Sequence, residues 1–157
     1  MDKGSKKTNP SQSPKIKIGQ KLQNSVGVRC AITGKNTAEC IGYVGKKNSV
    51  TIPPSLKYMG VTYQITSIKT KAFSGNKNLR SIVIPSSIRT IGSQAFFNCK
   101  NLRNITIKTP YLSKKTVGAK AFKGIHAKAK IKVPKKQKKA YQKLLKAKGA
   151  GKKVTIK

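Results

Sequence analysis

The residues that could perform acid–base or nucleophilic chemistry are few in this chain. Its acids are Asp2 and Glu39, and its one histidine is His126. General acid–base hydrolysis needs paired carboxylates or a histidine with an orienting partner, and the sequence offers neither pattern. A Cys99–His126 dyad is conceivable, but Cys99 falls in the repeat position that Ile125 takes later, which predicts a small buried side chain. We therefore expect no catalytic residue and no enzymatic activity.

The three cysteines lack the spacing of a metal site. Neither a CxxC nor an HxxxH pattern occurs, so we expect no metal and no cofactor. Cys30 and Cys40 flank a predicted hairpin turn, where a cross-strand disulfide is one alternative. Cys30 alternates with Ile32, and Cys40 with Gly42, in strand fashion, which favours two small side chains facing the core.

The cations carry the functional signal. There are 36 Lys and Arg residues against two acids, a net charge of +34, and no acid follows Glu39. Because these charges cannot form internal salt-bridge networks, they need counter-ions or an anionic partner. The segment PKKQKKA, residues 134–140, places two lysine pairs one residue apart at a predicted helix start, as in segments that bind sulfated glycans or nucleic acid. The candidate anion-binding residues are Lys135, Lys136, Lys138, Lys139 and Lys143.

The excess of lysine over arginine favours one mode of binding over another. Lysine supplies 32 of the 36 cations, whereas bidentate recognition of guanine or phosphate favours arginine. The composition therefore predicts diffuse, salt-sensitive attraction. Nucleic acid is a less favoured partner, because no recognition helix, zinc finger or RNP-type aromatic motif is present. Two further alternatives are that the lysines only keep an extracellular repeat protein soluble and protect its strand edges, and that the chain is a purely structural, wall-proximal spacer.

The elements that must position these lysines include a repeat in the middle of the chain. Residues 65–87 are followed by residues 88–110 with seven apolar positions matched at an offset of 23. A third unit, residues 117–133, follows at an offset of 26, and its three extra residues fall around residues 109–116. A period of roughly 20–29 residues is typical of leucine-rich solenoids, whose units must stack to bury their apolar faces.

Each unit has the same internal pattern. Its LxxIxI segment predicts a short strand in a parallel sheet, and its Ala-Phe pair predicts a turn or 3₁₀ segment whose phenylalanine stacks on those of neighbouring units. The predicted repeat core consists of Ile68, Phe73, Leu79, Ile82, Ile84, Ile91, Phe96, Leu102, Ile105, Ile107 and Phe122.

The predicted fold is mainly β, a short solenoid of about three 23-residue-type units between caps. We divide the chain into a solvated tail, linker or cloning remnant (1–24), an N-terminal β cap with a hairpin (25–64), the repeats (65–134) and a basic helix and strand cap (135–157). No stretch approaches the roughly 20 apolar residues of a membrane span. The start of the chain lacks the apolar core of a signal peptide, so we expect any export signal to lie outside this sequence.

These units resemble those of the BspA-like leucine-rich-repeat family, whose pattern is similar to IxxIGxxAFxxCxxLxxIxIP. Residues 88–107 fit it closely, residues 65–85 fit it through the terminal proline, and the resemblance spans residues 26–157. The chain departs from the pattern at Asn76, where the second unit has Cys99, and in its enlarged third unit. The resemblance implies a secreted or cell-surface bacterial protein used in adhesion and in protein or glycan binding, with no catalytic residues. We expect a monomer that contacts an anionic polymer or a host or bacterial surface protein.

Overall fold

The computed structural model describes residues 17–157, and residues 1–16 of the predicted tail lie outside this part. The mainly β solenoid predicted from the repeat is confirmed. Within residues 17–157 the strands are β1 (Lys21–Gln23), β2 (Val28–Ile32), β3 (Thr37–Tyr43), β4 (Ser49–Thr51), β5 (Ser55–Tyr58), β6 (Val61–Ile68), β7 (Ser81–Ile84), β8 (Thr90–Ile91), β9 (Asn104–Ile107), β10 (Lys130–Lys132) and β11 (Thr155–Ile156). A 3₁₀ turn, Lys135–Gln137, leads into the helix α1 (Lys138–Ala147). None of the described helical segments is long and apolar enough to cross a membrane.

Five strands form a parallel sheet along the repeats, in the order β11–β10–β9–β7–β4. Its register pairs Ile82 with Ile105 and Ile105 with Ile131, which reproduces the sequence offsets of 23 and 26. In β7 and β9 the isoleucines are buried and the residues between them are more exposed. The sheet begins with β4, which pairs with β7 and lies within the segment 25–64 that the sequence assigns to the N-terminal cap.

A second sheet, of six strands, contains the N-terminal part of the described chain. Its order is β1–β2–β3–β6–β5, and β8 also pairs with β6. The hairpin of β2 and β3 sets Cys30 opposite Cys40. Strand β6 is antiparallel to β5 but parallel to β3 and β8, and a parallel bridge between Ile91 and Val117 continues the series. Strand β1 falls within the segment assigned to the tail, and it pairs with β2 while Leu22 packs against the core.

Phe73, Phe96 and Phe122 form one stacked column in the core. Ring centroids are 5.2 Å apart for the first pair and 5.4 Å for the second, with interplanar angles of 10° and 16°. The backbones follow the same spacing, since Phe73 N–H donates to the Ala95 carbonyl and Phe96 N–H to that of Ala121, each at 2.8 Å. The other members of the predicted repeat core are also buried: Ile68, Leu79, Ile82, Ile84, Ile91, Leu102, Ile105 and Ile107.

Successive turns approach so closely that a glycine is required at one position. A Cβ on Gly92 would lie 2.3 Å from the backbone nitrogen of Thr70, and a Cβ on Gly118 would lie 2.3 Å from that of Ser93. Gly92 N–H also donates to the Ile68 carbonyl at 2.7 Å. These contacts fix the separation of neighbouring units and hence the alignment of the strands and loops that the units carry.

Candidate anion-binding surface

The five candidate lysines lie on the 3₁₀ turn and on α1, and all are exposed. Lys135 and Lys136 belong to the turn, while Lys138 and Lys139 begin the helix. Lys143 follows Lys139 by four residues, so the two side chains share one face of α1. The helix begins with no side-chain cap and no acid in its first turn. Its first N–H groups and these lysines therefore form one positive region that favours an anion.

The helix is held firmly at its buried face and at its end. The buried residues are Tyr141, Leu144 and Leu145. Gly149 has a φ of 108°, in the left-handed region that favours glycine after a helix. Its N–H donates to the Lys146 carbonyl at 3.2 Å, and Ala150 N–H donates to the Leu145 carbonyl at 3.0 Å. This pair of bonds satisfies carbonyls that the helix end would otherwise leave unpaired, so the lysines stand on a fixed element.

Tyr141 joins α1 to the enlarged loop, residues 109–116. Its hydroxyl donates to the Thr109 carbonyl at 2.7 Å and accepts from Leu112 N–H at 3.0 Å. Burial raises the pKa of the Tyr141 phenol. The Thr109 hydroxyl is itself buried and donates to the Ile88 carbonyl. The three-residue enlargement of the third unit is thus ordered against the helix.

Three lysines outside the five candidates lie on the outer face of the parallel sheet. Lys130 and Lys132 are exposed on either side of the buried Ile131 in β10. Lys157 N–H donates to the Ile131 carbonyl, and its own carbonyl accepts from Val133 N–H, both at 2.9 Å, which places Lys157 opposite Lys132. The alternation in KIK signals two outward lysines, but the pairing with the chain end depends on the register of β11.

The arginines extend the positive surface across the earlier repeat units. Arg103 N–H donates to the Arg80 carbonyl at 3.0 Å, so these exposed residues occupy neighbouring turns at the offset of 23. The guanidinium carbon of Arg89 lies 4.3 Å from the centroid of the Tyr111 ring, a cation–π contact on the enlarged loop. The one acid after residue 2, Glu39, accepts a 3.3 Å hydrogen bond from the Ser67 hydroxyl. The repeats and the C-terminal segment therefore contain no carboxylate side chain that could pair with their cations.

The cysteines occupy core positions. Cys99 is fully buried, its thiol donates to the Phe73 carbonyl at 2.9 Å, and burial raises its pKa to about 11. The nucleophilic thiolate is therefore disfavoured at neutral pH. His126 Nδ1 accepts from Lys128 N–H at 3.1 Å, a contact within one turn.

Cys30 and Cys40 are buried free thiols that face each other. A hydrogen bond between the two lowers the pKa of Cys30 and raises that of Cys40, which burial raises further. Among residues 17–157, His, Cys, Asp and Glu side chains form no group of three or more that could hold a metal ion.

Comparison with known proteins gives a consistent picture. A family model described as BspA type leucine rich repeat region, in six copies, matches residues 49–157. The chain is similar to the crystal structure of a leucine rich cell surface protein from Faecalibacterium prausnitzii (23% identity, TM-score 0.57, 80% of this chain and 38% of that one). It is also similar to leucine-rich repeat proteins from Bacteroides ovatus (29%, TM-score 0.52, 69% and 34%) and Bacteroides capillosus (17%, TM-score 0.56, 87% and 98%). The chain thus spans little more than a third of the length of the first two structures. No curated protein matches the sequence.

Proposed function

Because the chain belongs to the BspA-type leucine-rich-repeat family, we propose that it is a non-enzymatic binding module of a bacterial cell surface that holds acidic partners. Proteins of this family are bacterial surface proteins, and leucine-rich repeats generally serve protein binding. The partner proposed for this chain is an anionic surface: an acidic stretch of a host or bacterial protein, an anionic glycan or a wall polymer. Its exposed lysines supply the attraction, and the stacked repeats supply a rigid frame.

One observation carries this proposal: the exposed lysines of the C-terminal segment have no acidic side chain to neutralise them. Residues 108–157 contain eighteen lysines and no acid. The candidate cluster on the 3₁₀ turn and α1 adds positive charge where the helix dipole is already positive, which costs stability. An external anion relieves both the dipole penalty and the mutual repulsion of the lysines.

The surface chemistry favours diffuse attraction over the reading of a nucleic-acid sequence. Phe73, Phe96 and Phe122 are at most 2% exposed, so these rings are unavailable to stack on bases. Lysine charges without fixed bidentate geometry attract any dense anion. The affinity of the module is then set by the charge density of the partner and falls as salt rises.

Binding to polymers that differ in chemistry tests the proposal. The full chain is titrated with poly-L-glutamate, heparin, duplex DNA and uncharged dextran at low and at physiological salt. We expect binding to poly-L-glutamate and heparin that weakens with salt, and none to dextran. Absence of binding to every anionic polymer at low salt would refute the proposed function. Duplex DNA bound far more tightly than the other polymers, with dependence on base sequence, would replace it with a nucleic-acid function.

A further inference from the structure

The enlarged loop and α1 line an open cleft of about 410 Å³. One side of the cleft belongs to the enlarged loop, residues 109–116, which Tyr141 ties to the helix. The volume is within the range of roughly 300–1,000 Å³ that is usual for ligand sites. Insertions in repeat proteins map to loops on one face, often the face that binds. The one place where the repeat is enlarged therefore coincides with a concave surface beside the lysine cluster.

The cleft has an apolar floor beneath a cationic rim. Leu112, Leu144 and the ring of Tyr141 are buried and supply the floor, and Lys114, Ala140 and Lys143 are exposed around it. The polar groups at the floor are already paired. The Tyr141 hydroxyl bonds to Thr109 and Leu112, and the Ser113 hydroxyl lies 3.3 Å from that of Thr116. The floor therefore offers a guest dispersion contacts and apolar burial but few hydrogen bonds.

This combination selects the chemistry of the occupant. A sugar ring would bring hydroxyl groups that lose their hydration on such a floor without gaining partners, which is unfavourable. An apolar side chain gains free energy there, and carboxylates on either side of it complement Lys114 and Lys143.

We propose that this cleft is the docking site for an acidic protein segment, with one apolar side chain seated between Leu112 and Leu144 and its flanking carboxylates on Lys114 and Lys143. The inference rests on the proposed function and deepens it by naming the partner class and the seat. Glycans and wall polymers then bind the lysine surface by charge alone, without using the cleft.

Two labelled peptides test this. In the first, a leucine is flanked on each side by two aspartates; in its twin, serine replaces the leucine. For the wild-type chain we expect about tenfold tighter binding of the leucine peptide, the effect of one partly buried apolar side chain. Equal affinity of the two peptides would overturn the docking proposal.

A variant that fills the cleft distinguishes binding of the apolar side chain in the cleft from attraction between charges. Ala140 is exposed and lines the cleft, so Ala140→Leu should fold normally and place a side chain over the floor. We expect it to abolish the preference for the leucine peptide, so that this variant binds the two peptides with equal affinity. Ala147→Leu, at an exposed position of the same helix outside the cleft, is the matched control and should keep the tenfold preference. A preference that survives Ala140→Leu would overturn the proposal.

The rim is tested with a matched pair of charge variants. Lys114→Gln with Lys143→Gln should weaken both peptides more than Lys77→Gln with Lys100→Gln, which removes the same charge from exposed positions on earlier turns. Equal losses in the two variants would overturn the rim assignment. If the chain bound heparin but neither peptide, the proposed function would stand and the docking proposal would fail. If it bound none of these probes at low salt, both proposals would fail.

Discussion

The ring of Phe96 stacks on that of Phe73 at a centroid distance of 5.2 Å, with the two planes only 10° apart. Phe96 also contacts Phe122, so it is the central ring of the column. Replacing it with alanine removes contacts on both sides and leaves a cavity, and we expect Phe96→Ala to cost about 3–5 kcal/mol in the free energy of unfolding. Phe97→Ala, at the neighbouring half-buried position, is the control and should cost clearly less. Urea unfolding measures both, and equal losses would contradict the layered core.

The close approach of Gly92 to Thr70 gives a second prediction. A methyl group at this position would overlap the Thr70 backbone nitrogen at 2.3 Å, and backbone cannot move aside as a side chain can. We expect Gly92→Ala to lower the free energy of unfolding by about 1–3 kcal/mol or more. Gly151→Ala adds a methyl group whose nearest neighbour is a Val154 carbon at 4.0 Å, and it should be tolerated. Indistinguishable melting temperatures would mean that the turns are less tightly stacked than described.

The hydroxyl of Tyr141 is predicted to hold the enlarged loop against α1. Tyr141→Phe leaves the buried Thr109 carbonyl and Leu112 N–H without this partner, at a cost of about 1–3 kcal/mol. Hydrogen exchange at the Leu112 amide should accelerate in this variant. Tyr111→Phe removes a hydroxyl from a ring that is 50% exposed, and it should change neither quantity. Unchanged exchange at Leu112 in Tyr141→Phe would show that the loop is held by other contacts.

The buried thiol of Cys99 gives a prediction for alkaline pH. Burial raises its pKa from 9.0 to about 11 in the folded chain, so folding favours the neutral thiol. Its contribution to stability is complete below pH 9 and is lost as the pH rises towards 11. The difference in the free energy of unfolding between the wild-type chain and Cys99→Ala should shift by about 2 kcal/mol, against the wild type, over that interval. The comparison cancels the titration of lysines and tyrosines common to both, and a pH-independent difference would contradict burial of the thiol.

The repeat was predictable from the sequence because its buried apolar residues recur at a fixed spacing. Seven apolar positions at an offset of 23 predicted the pairing of Ile82 with Ile105, and the Ala-Phe pairs predicted one column of rings. The features that were not predicted depend on contacts that do not recur from unit to unit. Strand β1 pairs with β2 and packs Leu22 on the core, although Leu22 is the one apolar residue of this strand. The start of the parallel sheet at β4 follows from its pairing with β7, and SVT has little repeat signature of its own.

The candidate surface was predictable only in part, for a related reason. The lysine pairs of PKKQKKA are visible in the sequence, as is the amphipathic spacing of Tyr141, Leu144 and Leu145. The cleft beside them was not, because it arises where the loop of residues 109–116 meets α1 through the hydroxyl of Tyr141. Tertiary contacts between segments about thirty residues apart decide that geometry, and no local pattern encodes them.

The most direct test of the central claim is the salt dependence of binding to poly-L-glutamate. The cluster variant changes Lys135, Lys136, Lys138 and Lys139 to Gln, and the control changes Lys46, Lys47, Lys57 and Lys69, also exposed, to Gln. Plots of log affinity against log salt concentration are compared for the wild-type chain and the two variants, with circular dichroism to check the fold. We predict a steep slope for the wild type and for the control, and a slope shallower by up to about four units for the cluster variant. Identical affinities and slopes for the cluster and control variants would contradict the account, because these lysines would then be no more than a solubilising surface.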